Sequence, residues 1–130
     1  MGDQKNSIGK PRLLFVEDDK VTIDVFKLFI GDRYQTDWAE TGEVSLTKAN
    51  ENDYDVFLMD IGLPGKLNGI ETTKKLKEIK NNKDKPFIAI TAYAMKGDKE
   101  YLISQGLTHY LMKPFDRQKL INIIEDALEE

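Results

Sequence analysis

The sequence predicts an α/β protein: a doubly wound, five-stranded parallel sheet with helices on both faces. Two patterns carry that expectation. Short, uninterrupted apolar runs recur along the chain, as strands buried on both faces do. Amphipathic stretches at helical spacing separate them, so successive runs join through right-handed βαβ crossovers. The length is enough for this: 130 residues, 40% apolar and 32% charged, make one domain that can bury a core.

The elements follow in order. Residues 1–11 are polar and read as a flexible lead-in, leaving 12–130 as the domain. Leu13-Leu14-Phe15-Val16 is the first strand, and Ile23, Phe26, Phe29 and Ile30 mark the apolar stripe of the first helix. Tyr34 to Ala39 mixes polar and aromatic residues and suggests an edge strand, followed by a helix over Gly42 to Asn50. Val56-Phe57-Leu58-Met59 is the third strand; Asn68 with Glu71 forms a variant capping box that opens the third helix. Phe87-Ile88-Ala89-Ile90 is the fourth strand, with a helix over Gly97 to Gln105 that Gly106 closes. Tyr110-Leu111-Met112 is the last strand, and Leu120, Ile121, Ile124, Ala127 and Leu128 line the last helix. For five strands and five helices, the flavodoxin-like order 2-1-3-4-5 is the economical expectation.

Composition narrows the chemistry. There is no Cys and a single His109, which excludes disulfides, thiolate zinc sites, cysteine nucleophiles and paired-histidine zinc hydrolases. With 19 basic against 23 acidic residues and a net charge of -4, no whole-domain basic field for nucleic acid exists. The Lys-rich stretch from Lys74 to Lys85 is interleaved with Glu78 and Asp84, lacks aromatics, and reads as a solvated helix face running into a loop. The start lacks the apolar region of a secretory signal, and Asn6 stands where a myristoylation motif wants Ser or Thr. The longest apolar run, Phe87 to Met95, is too short to span a bilayer, so a soluble, cytoplasmic protein without membrane contact is expected. Carboxylates, hydroxyls, backbone carbonyls and hard cations remain as the means of chemistry.

Ligands of such sheets bind outside the carboxyl ends of the strands, so the residues just after each run matter most. Glu17, Asp18 and Asp19 follow the first strand, Asp60 the third, Thr91 the fourth and Lys113 the fifth. The first and third strands are expected neighbours, which brings their acids into one pocket. Clustered carboxylates repel, and a hard cation such as Mg²⁺, which takes oxygen ligands, removes the conflict. Gly62 can offer a backbone carbonyl to the same ion. A cation, the Lys113 ammonium and the Thr91 hydroxyl around Asp60 suit an incoming phosphoryl group, with Asp60 as nucleophile. Plainer readings exist for each residue alone. The Glu17–Asp19 triplet can simply favour a helix N-terminus, Asp60 can be a turn residue before Gly62 and Pro64, and His109 reads as structural. The joint placement at four strand ends favours chemistry.

Four blocks now carry a resemblance. Phe15-Val16-Glu17-Asp18-Asp19, Leu58 to Pro64, Ile90-Thr91-Ala92 and Tyr110 to Phe115 resemble the signature segments of the receiver domain of two-component response regulators. The similarity runs from about residue 12 to the C-terminus. It implies Asp60 as phosphoacceptor, with Asp18 and the Gly62 carbonyl as direct Mg²⁺ ligands and Glu17 acting through a metal-bound water. It implies Lys113 and Thr91 on the phosphoryl oxygens, Tyr110 as an aromatic switch that follows Thr91, and a cis Lys113–Pro114 peptide bond. The implied donor is a phosphohistidine on a histidine kinase or histidine phosphotransfer protein. The implied output is a downstream protein target met by the fourth helix, last strand and last helix near Tyr101, Tyr110 and Arg117. One residue more than the usual spacing separates Pro64 from Gly69, and Ala94 to Asp98 looks like stand-alone receivers or those of hybrid kinases.

Rival functions fit less well. A haloacid dehalogenase-type phosphatase wants a second acid where Gly62 stands. A flavin phosphate would meet Glu17-Asp18-Asp19, and Gly65-Lys66-Leu67 is not a P-loop. No Asp-rich triplet ends in the Gly that an EF-hand needs. The expectation is therefore a phosphorylation-dependent switch rather than an enzyme, with a phosphate sink or an unphosphorylated interaction module as the alternative.

Overall fold

The computed structural model describes residues 9–62, 68–92 and 98–129. Residues 1–8 of the expected lead-in, the lengthened loop at Gly65 to Leu67, and Ala94 to Gly97 lie outside the described residues. The strands are β1 (Arg12–Val16), β2 (Gln35–Ala39), β3 (Val56–Asp60), β4 (Phe87–Thr91) and β5 (His109–Met112). The helices are α1 (Lys20–Ile30), α2 (Gly42–Glu51), α3 (Gly69–Lys77), α4 (Asp98–Ser104) and α5 (Arg117–Leu128). All pairings are parallel and the order is β2-β1-β3-β4-β5, as the alternation of runs predicts.

Side-chain alternation explains why the apolar runs are unbroken. Leu13, Phe15, Val56, Leu58, Ile88, Ile90 and Leu111 pack with Phe26, Ile30, Leu120, Ile121 and Ile124 of α1 and α5. Their neighbours Leu14, Val16, Phe57, Met59, Phe87 and Ala89 pack with Ala49, Leu76 and Leu102 of α2, α3 and α4. The inner strands β1, β3 and β4 thus need apolar residues on both faces. Phe15 of β1 stacks on Phe26 of α1 at 4.2 Å, tying sheet to helix, and Phe57 stacks on Phe87 of the adjacent strand at 4.4 Å. The last strand departs from expectation. Its order puts β5 at a sheet edge, so Leu111 is buried while Met112 is 47% exposed.

Caps fix where helices begin. Asp19 accepts from the Thr22 N–H at 3.0 Å and starts α1. The capping box forms as predicted, with Asn68 Oδ1 accepting from the Glu71 N–H at 2.9 Å. Gly106, at φ 104°, follows α4 in the left-handed region that a helix end of this kind requires.

At the N-terminal ends of the strands a polar network joins three of them. Arg12 Nη2 donates to Asp37 at 3.3 Å and to Asn52 at 3.2 Å, while the Tyr54 hydroxyl donates to Asp37 at 2.6 Å. The backbone N–H of Arg12 donates to Asp55 at 2.8 Å. Burial and the adjacent Asp37 carboxylate push the Tyr54 phenol well above its ordinary value, and burial with Glu125 does the same to Tyr34. A folded-state value raised this way contributes stability that is present below the unfolded phenol's pKa, about 10, and is lost as pH rises past it. Denaturant titrations at about pH 9 and about pH 11 should therefore show a drop in wild-type stability that is smaller in Tyr54→Phe.

Candidate functional site

The C-terminal ends of β1, β3 and β5 converge. The strand ladder continues one residue past β1, where the Glu17 N–H donates to Ala39 O at 2.9 Å, and past β5, where the Lys113 N–H donates to Thr91 O at 2.7 Å. Continued alternation gives Glu17, Asp60 and Lys113 the parity of Phe15, Leu58 and Leu111, the face covered by α1 and α5. Thr91 and Tyr110 carry the opposite parity, and Tyr110 packs against the cluster under α2, α3 and α4.

Distances bear out the convergence. Carboxylate oxygens of Glu17, Asp18 and Asp60 lie within 4.8 Å of one another. Lys113 Nζ stands 3.0 Å from Glu17 Oε1 and 3.8 Å from Asp60 Oδ2. Glu17 is 0% exposed and Asp60 7%, whereas Asp18 faces solvent. Glu17 also accepts the Asp19 N–H at 3.1 Å, and Asp60 Oδ1 accepts the Gly62 N–H at 3.0 Å. Thr91 is 8% exposed at the end of the neighbouring strand, whose Ile90 registers with Asp60. The Lys113–Pro114 peptide bond is cis.

The electrostatics of this cluster are in conflict. At an effective dielectric of about 20, two unit charges 4.8 Å apart repel by roughly 3–4 kcal/mol. Burial first, then the Asp60 carboxylate, pushes Glu17 up from 4.5 to about 7, against the Asp19 N–H and Lys113, which pull it down. A hard divalent cation fits this donor set: oxygens alone, a surplus of negative charge, and one member open to solvent.

The expected residues do not all stand alike. Asp19, one of three acids in the first block, serves the helix instead: its hydrogen bonds from Thr22 hold its carboxyl below the usual range. Lys113 lies nearer Glu17 than Asp60, at 3.0 Å against 3.8 Å. Of the residues expected near the output surface, Arg117 donates from Nε to Phe29 O at 3.1 Å and Tyr101 is 54% exposed on α4. Two contributors went unread in the sequence. Besides the carbonyl expected to serve a cation, Gly62 offers its N–H to the Asp60 carboxylate, and Gly69 packs on the Asp60 backbone; apolar periodicity gives no sign of either.

The model of the response regulator receiver domain matches residues 13–125. The chain belongs to that family. Among relatives of this receiver domain is the polar-differentiation response regulator DivK of Brucella ovis, 36% identical over 117 residues, 89% of this chain and 94% of that one. The receiver domain of sensor histidine kinase PA1611 from Pseudomonas aeruginosa PAO1, solved with a magnesium ion coordinated in its active site cleft, superposes with a TM-score of 0.84. It is 31% identical, covering 94% of this chain and all of that one (100%). Chemotaxis protein CheY4 of Vibrio cholerae shares the fold, with a TM-score of 0.86 at 24% identity over 92% of this chain and 100% of that one. The chain is thus a receiver domain of two-component signalling, and none of its described helices is long and apolar enough to cross a membrane.

A raised carboxyl implies a definite pH dependence. With Glu17 near 7 in the fold and 4.5 unfolded, the unfolded state releases its proton first, so metal-free stability falls as pH rises from about 4.5 to about 7. Chelator-treated protein unfolded in denaturant across that range should show this decline, and Glu17→Gln should flatten it.

Proposed function

We propose that Asp60 accepts a phosphoryl group from a phosphohistidine of a histidine kinase or histidine phosphotransfer protein. The observation that supports this reading best is Lys113 reaching Glu17 and Asp60 at once, beside three clustered carboxylates. The bond from donor nitrogen to phosphorus breaks, one from an Asp60 oxygen to phosphorus forms, and the product is an acyl phosphate. Asp18, Asp60 and the Gly62 carbonyl would hold Mg²⁺, with Glu17 acting through a water, and the ion would supply positive charge to the phosphoryl oxygens. The Gly62 N–H restrains one Asp60 oxygen, so the carboxylate keeps one orientation toward the donor. Lys113 supplies positive charge where the phosphoryl oxygens gather, and Thr91 donates its hydroxyl to one of them. The domain acts as a switch that assists its own phosphorylation and dephosphorylation, in the cytoplasm, and the lead-in at 1–11 stands outside it.

The test uses acetyl phosphate as donor. Intact mass should rise by one phosphoryl group with Mg²⁺ present, not with chelator, and hydroxylamine should remove the adduct. Asp60→Asn should take no adduct; an adduct that persists there refutes the assignment.

Output follows from the two parities. Thr91 and Tyr110 lie on adjacent strands and share a face, so drawing Thr91 toward a phosphoryl group frees space that Tyr110 can fill. The reshaped surface of α4, β5 and α5 then meets a downstream protein, and phosphorylation shifts this equilibrium by its differential affinity for the active form. Beryllofluoride with Mg²⁺ should move amide resonances from Asp60 through Thr91 to Tyr110, and Thr91→Ala should leave Tyr110 nearly unmoved. Perturbation confined to the pocket in wild type would mark a phosphate sink instead.

A further inference from the structure

Gly69 opens α3, and its Cα faces the backbone of the acceptor strand. A Cβ there would stand 2.4 Å from the Asp60 carbonyl oxygen, 2.8 Å from Ile61 Cα and 3.1 Å from the Asp60 carbonyl carbon. Non-bonded carbon normally keeps about 3.3–4.0 Å from such atoms, so the shortfall approaches an ångström. The neighbours are backbone, which cannot swing aside as the tip of a long side chain can. Gly69 is thus required for close approach of a helix to one particular peptide. The capping box explains Asn68 and Glu71 but not the glycine between them.

Both sides of this contact are held. On the sheet side, the Ile61 N–H donates to Ile90 O at 3.0 Å, so the peptide after Asp60 cannot retreat without breaking a ladder bond to β4. On the helix side, the Thr72 N–H donates to Asn68 O at 2.9 Å and the Thr73 hydroxyl to Gly69 O at 2.8 Å. Just beyond the contact, the Gly62 N–H holds Asp60 Oδ1 at 3.0 Å. A shift of the 60–61 peptide therefore passes directly into the aim of the carboxylate.

We propose that Gly69 is a positioning residue for the acceptor: by lacking a side chain it lets the first turn of α3 brace the Asp60–Ile61 peptide, and that brace sets the Asp60 carboxylate against Glu17 and Lys113. The proposal rests on the reading of Asp60 as phosphoacceptor. Positioning of reacting groups is steep in its effect, with about 100-fold in rate for roughly an ångström of misplacement.

The experiment compares wild type, Gly69→Ala, Leu76→Ala and Asp60→Asn at full length with Mg²⁺ and acetyl phosphate. Leu76 is a buried core residue further along α3, so Leu76→Ala loses stability without touching the brace. Gly69→Ala is expected to be folded by circular dichroism, to phosphorylate about 10- to 100-fold more slowly, and to shift the Gly62 amide resonance. Leu76→Ala should unfold more readily yet keep both the wild-type rate, measured while folded, and the Gly62 resonance. A wild-type rate in folded Gly69→Ala, with wild type modified on Asp60, overturns the brace and leaves the acceptor standing. Wild type that takes no phosphoryl group on Asp60 overturns both. Should Gly69→Ala not fold, Asn68→Ala loosens the same helix start while keeping the glycine; a several-fold slower rate with a shifted Gly62 amide supports the brace, and an unchanged rate and amide overturn it.

Discussion

Repulsion between Glu17 and Asp60 is the constraint around which this end of the molecule is arranged. Parallel pairing of β1 with β3 places their C-terminal ends side by side, and neither acid can move away without breaking the ladder. The conflict is met in three ways: Lys113 lies between the two, backbone N–H groups of Asp19 and Gly62 restrain one oxygen of each, and Glu17 resists ionisation. None of these removes the excess of negative charge. A cation or an anion that brings a cation with it finds a site already assembled.

Alternation along the strands divides the labour further. Glu17, Asp60 and Lys113 carry one parity and lie over α1 and α5. Thr91 and Tyr110 carry the other and lie over the helices of the opposite layer. On the proposed reading, the sheet separates Asp60 and Lys113 from Tyr110, and Thr91, at the end of a strand whose side chains address both layers, is the link between them.

Much of this was legible before any coordinates. Continuous apolar runs separated by amphipathic segments read as buried parallel strands, and the residue after each run is where ligands of such sheets bind, which is how Asp60, Thr91 and Lys113 come to notice. Periodicity does not distinguish an inner strand from an edge, so Met112 reads as core though it is half exposed. Composition cannot separate three adjacent acids either: Asp19 differs from Glu17 only because Thr22 follows at capping distance. Gly69 is illegible for a deeper reason. What requires it is a contact between segments that meet only in three dimensions, and a small residue leaves no positive signal in a pattern of apolar spacing.

The opposite end of the sheet shows the same physics with the opposite result. There Arg12 bonds Asp37 and Asn52, its backbone bonds Asp55, and Tyr54 completes Asp37, so β1, β2 and β3 are pinned through partners the chain itself supplies. At the C-terminal ends, among the described residues, three carboxylates cluster and two of them, Glu17 and Asp60, share the ammonium of Lys113. Asp37, reached by both Arg12 and Tyr54, is held by partners within the fold, whereas charges left in excess make stability depend on what binds. The contrast gives each end its role. On the proposed reading, the network around Arg12 keeps the strands in register while binding at the acidic end rearranges Lys113, Thr91 and Tyr110.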